Sequence, residues 1–213
     1  TKIGSKVTFE IVDAQGKSYH EDIINDRGII TNLVDKIKRP MCTPIVFHQD
    51  TGKMKLDIAF MYDAGDKDGP ESSENVIAFC NMCPTEGGDH IEGSLDGICK
   101  WFCNYLNKIY LNNQKNTKNK TVVLPVDIKC GLNVMISGAL LEPIFVGQAK
   151  EILSSKEMGE FCRSVVMNGL EEWSKTAPQE LLRLCKYFKD IADARIKSSA
   201  EKIKIVKNYE ENA

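Results

Sequence analysis

A chain of 213 residues has room for one domain of ordinary size and an extension, but not for two large domains. Its 42% hydrophobic and 27% charged residues are typical of a globular protein and exclude a disordered chain. The formal net charge of −2 excludes a uniformly basic nucleic-acid-binding protein, although it leaves local basic patches open. No apolar run approaches the roughly 18 residues of a membrane span. The chain starts at Thr1 without an initiator Met or an apolar signal core, so we expect a segment of a larger, cytoplasmic protein.

The eight cysteines raise the question of a disulfide framework. The sequence has no secretory segment, and several cysteines adjoin apolar runs; Cys80, for example, directly follows Ile77–Phe79. Cysteines in such surroundings behave as small hydrophobic residues in a reducing cytosol. We therefore predict that the cysteines are free thiols.

The first half of the chain predicts a hairpin, a helix and three strands. Polar and apolar residues alternate over Lys6–Ile11 and a turn follows at Asp13–Gly16, which indicates a hairpin. Helical spacing from Ile29 to Ile37 predicts a helix that ends before Pro40. Strands are predicted at Pro44–His48, at Lys53–Asp63 with one buried face, and at Glu74–Met82. The residues 64–73 predict a polar loop.

The second half predicts three helices and two strands. Asp89 and Glu92 form a capping-box-like start for a long amphipathic helix, whose apolar stripe is Ile91, Leu95, Ile98, Phe102, Tyr105 or Leu106, and Ile109. A polar loop at 112–120 precedes strands at Val122–Lys129 and Asn133–Leu141. Ser154 and Glu157 predict the start of a second helix, and a third begins near Pro178 and runs towards Val206. Strands are grouped rather than alternating with helices, so we predict the α+β class.

Two sequence features suggest ligand sites, and each has a plainer explanation. Cys80-x-x-Cys83 and Cys99-x-x-x-Cys103 resemble two pairs of zinc ligands, but the same residues fit a strand and the apolar face of the long helix. The core interpretation needs no metal, and we expect none. Glu86-Gly87-Gly88-Asp89-His90 is a strand-to-helix turn that can bind an anion, but its glycines and Asp89 also suit a tight, capped turn with a structural His90.

Lysines provide the remaining candidate sites. Gly147-Gln148-Ala149-Lys150 lies between a strand and a helix, where an amine and an amide can reach a phosphate, although such a Lys can also be an ordinary surface residue. Five lysines and no acidic residue occur between Lys100 and Lys120. Within this stretch, Lys115, Lys118 and Lys120 suit either phosphate contact or a solvated loop.

These features occur in an order that resembles the ATPase subunits of type IIA DNA topoisomerases, including gyrase B subunits. The strand Val76–Asn81 leads into Thr85-Glu86-Gly87-Gly88-Asp89-His90-x-x-Gly93, which resembles the family's E-G-G-T-H-x-x-G turn. Pro143-x-Phe145-x-Gly147-Gln148-Ala149-Lys150 resembles the family's P-x-F-x-x-Q-T-K stretch. The resemblance covers roughly Val7 to Arg195. The departures are Asp89 and Ala149, each in place of Thr, and the divergent, cysteine-rich sequence suggests a phage-like origin.

The resemblance implies a transducer region with a ribosomal-protein-S5-domain-2-like fold. The implied boundaries are the end of a GHKL ATPase domain at 1–20, the transducer at 21–175 and a helical stalk at 176–213. Gln148 and Lys150 correspond to the residues that contact the ATP γ-phosphate, and Lys115, Lys118 and Lys120 lie where eukaryotic topoisomerase II carries a DNA-contacting lysine loop. ATP and Mg²⁺ are the implied cofactors, bound mainly by a preceding ATPase domain.

The resemblance also implies the partners and the activity of the whole enzyme. We expect DNA, a cleavage subunit or domain, and a second copy of the full-length protein as partners, in a bacterial or phage-infected cell. The whole would be an ATP-dependent type II topoisomerase, an isomerase, and this segment alone would be inactive. The alternatives are a stand-alone S5-like nucleic-acid-binding module and a MutL-type mismatch-repair transducer.

Overall fold

The computed structural model describes residues 5–12, 18–25, 29–65, 70, 73–113, 122–148 and 150–210. Its strands are β1 (Ser5–Val12), β2 (Ser18–Asn25), β3 (Ile45–Asp50), β4 (Met54–Tyr62), β5 (Asn75–Cys80), β6 (Cys83–Thr85), β7 (Gly87–Gly88), β8 (Leu132–Leu140), β9 (Phe145–Val146) and β10 (Ile152–Leu153). Its helices are α1 (Ile29–Val34), α2 (Asp89–Asn113), α3 (Pro125–Lys129), α4 (Lys156–Thr176) and α5 (Pro178–Glu210). This mixture of sheets and helices confirms the α+β class, whereas the S5-like detail and the domain boundaries stay predictions.

The strands form three sheets within these residues. β1 and β2 pair as an antiparallel hairpin, as predicted, although its turn lies outside the described residues. The main sheet has the order β3-β4-β8-β5-β6, with β5 and β8 parallel and the other neighbours antiparallel. A small sheet has the order β7-β10-β9. The connection between β9 and β10 in this small sheet contains the candidate site residues Gln148 and Lys150.

The main sheet is covered on both faces. Leu56, Ile58, Phe60 and Tyr62 of β4 face a core that also contains side chains of α2, α4 and α5. The alternate residues Ala59 and Met61 pack with Leu33 of α1 on the other face. The prediction that only one face of β4 is buried was therefore wrong, because β4 lies between β3 and β8 and α1 covers its second face.

The predicted strand at Val122–Lys129 was also wrong. Residues 125–129 form α3, which starts at Pro125, a residue whose fixed φ suits the first helical position. The Asp127 carboxylate accepts a hydrogen bond from the Leu124 N–H at 2.8 Å. Local turn chemistry thus overrides the apolar alternation on which the strand was predicted.

Three long helices cover one face of the main sheet. α2 and α4 cross where a Cβ on Gly93 would lie 2.1 Å from the Gly159 carbonyl oxygen, so the crossing requires a residue without a side chain. α5 packs through a buried stripe comprising Leu181, Leu184, Cys185, Phe188 and Ala192. Its prediction from Pro178 is confirmed, and it continues to Glu210.

Candidate functional site

Gln148 and Lys150 lie in the short connection between β9 and β10. These strands pair antiparallel, with Val146 opposite Ile152, and residues 147–151 join them. Both side chains are exposed. Gly147 and Lys150 have φ values of 78° and 57°, in the left-handed region, which bends the backbone sharply at both ends of the loop. The connection thus presents one amide and one amine to the solvent. We call residues 147–151 the sensor loop, after the role that the family resemblance implies for Gln148 and Lys150.

The base of the sensor loop is bound to the glycine turn at 86–88. The Glu151 carbonyl oxygen accepts hydrogen bonds from the N–H groups of Glu86, at 2.9 Å, and Gly87, at 3.2 Å. Ile152 and Leu153 then pair in parallel with Gly87 and Gly88. The two motifs that carry the family resemblance are therefore parts of one hydrogen-bonded unit.

Gly88 makes this pairing possible. Its φ is 118°, and a Cβ at this position would lie 2.3 Å from the Leu153 carbonyl oxygen. A side chain would therefore force β7 and β10 apart. The N–H groups of Glu86 and Gly87 are already donated to Glu151, which argues against the anion-binding interpretation of this turn and favours the tight-turn interpretation.

The side chain of His90 lies next to Thr85, just before the glycine turn. It is fully buried, and its Nε2 lies 2.9 Å from the Thr85 hydroxyl. Its Nδ1 has no hydrogen-bond partner among the described residues. Burial lowers the pKa of His90 to about 4, so the ring is neutral at neutral pH. This neutral, buried ring agrees with the structural role that we preferred for His90.

The same turn is connected to the beginnings of two long helices. Asp89 begins α2, and its carboxylate accepts a hydrogen bond from the Ser155 N–H. Ser155 in turn caps α4, because its hydroxyl accepts a bond from the Met158 N–H at 3.4 Å. The cap that we predicted at Ser154 therefore falls one residue later, and Asp89 joins α2 to α4.

The cysteines are free thiols, as predicted. Cys80 is buried on β5, whereas Cys99 and Cys103 lie on α2 and pack in or against the core. Over the part of the chain that the structure covers, no group of three or more His, Cys, Asp or Glu residues is placed to hold a metal ion. The positions of these three thiols agree with the core interpretation.

Lys115, Lys118 and Lys120 lie outside the described residues, and hydrogen bonds hold the backbone that follows at Val122 and Val123. The Asn107 side chain of α2 makes two hydrogen bonds of 3.2 Å to the backbone N–H and carbonyl of Val123. Arg195 of α5 donates to both oxygens of the buried Asp127, at 2.7 and 2.9 Å, and to the Val122 carbonyl at 2.9 Å. We call Asn107, Asp127 and Arg195 the exit clamp, because together they hold the backbone at Val122 and Val123, just before α3. Its only signal in the sequence is the presence of polar residues within apolar helices, because the partners are far apart along the chain.

The family model of DNA gyrase B matches residues 11–203 of this chain. The chain belongs to the DNA gyrase B family. This membership confirms the resemblance to the ATPase subunits of type IIA topoisomerases. The gyrase B family assignment also favours the predicted topoisomerase segment over the two alternatives, a MutL-type transducer and a stand-alone module.

Individual gyrase B relatives give the same result. The chain is 27% identical over 184 residues to the DNA gyrase B protein of Archaeoglobus fulgidus, a match that covers 85% of this chain and 27% of the relative. It is 33% identical over 159 residues to the DNA gyrase B protein of Spiroplasma citri, covering 73% of this chain and 24% of the relative. The DNA topoisomerase 4 B protein of Francisella tularensis is 29% identical over 173 residues, with 80% and 26% covered. The chain thus spans about a quarter of the length of these curated relatives.

Solved structures of gyrase B and topoisomerase IV share the fold. The 43K ATPase domain of Thermus thermophilus gyrase B has a TM-score of 0.72 and 18% identity, covering 94% of this chain and 51% of that one. The ATP-binding domain of Francisella tularensis topoisomerase IV has a TM-score of 0.63 and 24% identity, covering 84% and 46%.

Within the described residues, every helix is too short or too polar to cross a bilayer.

Proposed function

We propose that this gyrase B-family segment is a transducer that senses the γ-phosphate of ATP through Gln148 and Lys150. In this proposal it relays the state of the nucleotide to the DNA-cleavage core of a type IIA topoisomerase. The observation that carries the proposal is the hydrogen bonding of the sensor loop to the glycine turn, which leads directly into α2 and, through Asp89, to α4.

The sensor loop has chemistry that suits a phosphate. A lysine ammonium is a compact positive charge on a long stem, and a glutamine amide donates two hydrogen bonds. Both are exposed, so both can reach a group that another domain holds. Two side chains do not make a nucleotide pocket, so the base, the sugar and Mg²⁺ would be held by a preceding ATPase domain. ATP would supply the phosphoanhydride bond whose cleavage removes the contact.

A route for the relay follows from the hydrogen bonds. Movement of Lys150 would shift Glu151, whose carbonyl holds the turn at Glu86 and Gly87. The turn would move the first residues of α2, and Asp89 would carry the shift to Ser155 at the start of α4. Because packed helices move as rigid bodies, small shifts at their ends become shifts of the whole pair. Loss of the γ-phosphate would thus change the positions of α2 and α4.

The remaining partners belong to the same proposal. DNA would contact Lys115, Lys118 and Lys120, and α5 would lead towards the cleavage subunit or domain. The whole enzyme would be an ATP-dependent isomerase that works as a homodimer on DNA in the cytoplasm of a bacterial or phage-infected cell.

The test of the sensor role is Lys150→Ala in the complete ATP-hydrolysing protein. We expect hydrolysis to fall by at least tenfold with little change in ADP affinity, because a cation that meets only the γ-phosphate acts where charge is redistributed during transfer. Lys186→Ala, an exposed lysine on α5, is the matched control and should hydrolyse normally. Equal rates for both variants, with normal thermal melting, would remove the proposed function.

The DNA contact has its own test. The triple change of Lys115, Lys118 and Lys120 to Ala should weaken DNA binding by the complete protein and flatten its dependence on salt, since each phosphate contact releases counterions. The measurement is the slope of the logarithm of the binding constant against the logarithm of salt concentration. An unchanged slope would mean that these lysines are only solvated.

A further inference from the structure

The turn that joins β5 to β6 brings two cysteines opposite each other. Cys80 ends β5, Cys83 begins β6, and the two residues are paired across the ladder. Between them, Asn81 and Met82 both have left-handed φ values, 48° and 67°. Two successive positive φ values define the type I′ turn, which closes the tightest hairpins.

This turn is firmly held in place. The Asn81 side chain donates to the Leu140 carbonyl and accepts from the Leu140 N–H, both at 2.9 Å. The Asn81 N–H also donates to the Gly138 carbonyl at 2.9 Å. The end of β8 therefore fixes the hairpin, and with it the mutual position of Cys80 and Cys83.

We propose that Cys80 and Cys83 are a redox modification site that forms a reversible disulfide across this hairpin. Directly opposite residues of an antiparallel pair have Cα atoms about 4.5–5.5 Å apart, and their side chains leave the same face. A disulfide joins Cα atoms about 4.4–6.8 Å apart. The Cα spacing therefore lies within the disulfide range, and a small approach of the Cβ atoms, from about 4.5–5.5 Å to about 3.5–4.5 Å, closes the bond. This inference is independent of the proposed function.

Exposure sets the order of the chemical steps. Cys83 is exposed, whereas Cys80 is fully buried, so a small oxidant meets Cys83 first. With a low-molecular-weight disulfide as oxidant, the Cys83 thiolate attacks one of its sulfurs, forms a mixed disulfide and releases one thiolate. The Cys80 thiolate then attacks Cys83 Sγ and releases the second thiolate. The two protein thiols lose their protons, the two released thiolates take up protons, and the small disulfide is reduced while the protein pair is oxidised.

Burial slows the second step. It raises the pKa of the Cys80 thiol to about 11, so only a small fraction of Cys80 is thiolate at neutral pH. The intramolecular position of Cys80 compensates, because it faces the mixed disulfide across the turn. We therefore expect the closing step to accelerate with rising pH up to about 11.

Another cysteine pair in the same chain serves as a control. Cys99 and Cys103 are four residues apart on α2, so they lie on the same side of one helix. Residues at this spacing have Cβ atoms about 5–6 Å apart, whereas a disulfide needs about 3.5–4.5 Å. This pair should therefore stay reduced under conditions that oxidise Cys80 and Cys83.

The experiment treats the folded, reduced 213-residue chain with oxidised glutathione at pH 8. The chain is then unfolded in denaturant so that buried thiols react, the remaining thiols are alkylated, and the labels are mapped by mass spectrometry. We expect loss of the labels on Cys80 and Cys83, loss of the mass of two hydrogen atoms, and full recovery with dithiothreitol. The extent of labelling of Cys99, and likewise of Cys103, should be the same with and without the oxidant.

Two variants separate the steps. Cys80→Ser should keep glutathione on Cys83, because no thiol is left to displace it, and Cys83→Ser should leave Cys80 reduced. Cys103→Ser should oxidise like the parent chain. Persistent glutathione on Cys83 of the parent chain, or full labelling of both Cys80 and Cys83 after treatment, would overturn the proposal. The parent chain decides the matter even where the buried Cys80→Ser variant folds poorly.

Discussion

The sensor loop and the first half of α5 are held to the protein by different forces. Gln148, Lys150 and Glu151 of the loop have exposed side chains, and a Cβ on Gly147 would meet no atom within 4 Å. Its attachment is mainly the Glu151 carbonyl and a two-residue strand. By contrast, Phe188 of α5 is fully buried, with ring centroids 4.9 Å from Tyr62 and 5.1 Å from Phe102.

This difference separates a loop that is easily displaced from a helix that keeps its shape. A short loop with exposed side chains opens at low free-energy cost, whereas a packed aromatic core opens only when the domain unfolds. In the proposed function, the nucleotide would act on the easily displaced element, and α5 would pass the result on without deforming. The following predictions test this division, starting from the largest effect.

Phe188→Ala should lower the free energy of unfolding by about 3–5 kcal/mol, because it leaves a cavity between Tyr62 and Phe102. The measurement is urea unfolding of the parent and the variant. Leu182→Ala is the control on the same helix, since 66% of Leu182 is exposed, and it should cost under about 0.5 kcal/mol. Similar losses for both variants would show that α5 is not held by its buried stripe.

Lowering the pH should destabilise the region under the glycine turn. The pKa of His90 is about 4 in the folded protein and 6.5 ordinarily, so the unfolded chain binds more protons between these values. Stability should therefore fall as the pH falls from about 6.5 to about 4, by at most about 3 kcal/mol.

Urea unfolding at several pH values between 7 and 4.5 measures this slope, and His90→Gln should remove most of it. The window lies above most of the titration of Asp63: desolvation raises the pKa of this carboxyl, but hydrogen bonds from the Lys38, Gly65 and Arg39 N–H groups lower it to a net value below 3.8. A slope that survives in the His90 variant would assign the effect to another group.

Gly88→Ala should cost about 1–3 kcal/mol, because residue 88 has a positive φ and faces the β10 backbone. Hydrogen exchange should quicken at Glu86 and Gly87, while the amides of α5 stay protected. Gly52→Ala is the control, with a φ of 78° but open space around it. If the control perturbs exchange at the turn equally, the contact with β10 is unimportant.

Tyr62→Phe should raise the free energy of unfolding by about 1 kcal/mol, because the buried Tyr62 hydroxyl has no hydrogen-bond partner among the described residues. Tyr187→Phe is the matched comparison, since the Tyr187 hydroxyl donates to the Cys130 carbonyl at 3.2 Å. It should lower stability by about the same amount. Thermal unfolding of the two variants should therefore shift in opposite directions.

Lys150→Ala should change the free energy of unfolding by under about 0.5 kcal/mol, the smallest effect in the series. Its side chain is exposed. The urea midpoint of the isolated chain measures this directly. A loss above about 1 kcal/mol would mean that Lys150 has a structural role in the connection between β9 and β10.

Sequence patterns predicted the elements that are long and strongly periodic. β4, α2, α4 and α5 lie where alternation or helical spacing put them, because each buries a continuous face over many residues. The pattern failed at α3, where Pro125 and Asp127 specify a turn of helix within an alternating apolar run.

The small sheet could not be predicted in the same way. β7, β9 and β10 have two residues each, which is too short for any periodicity, and Gly87 meets Ile152 only through the tertiary fold. The resemblance supplied Gln148 and Lys150 as candidates, but not their attachment to the glycine turn. The exit clamp was missed for the same reason, since Arg195 and Asp127 are 68 positions apart.

The exit clamp has a practical consequence for protein engineering. The segment 114–121 starts directly after Asn113, the last residue of α2, and it is followed closely by Val123, which Asn107 of the same helix holds. Both ends are therefore fixed to one helix, whatever the length between them. Because loop-closure entropy grows only with the logarithm of length, doubling the segment should cost only about 0.6 kcal/mol. A reporter peptide inserted here should leave the helices and the main sheet intact.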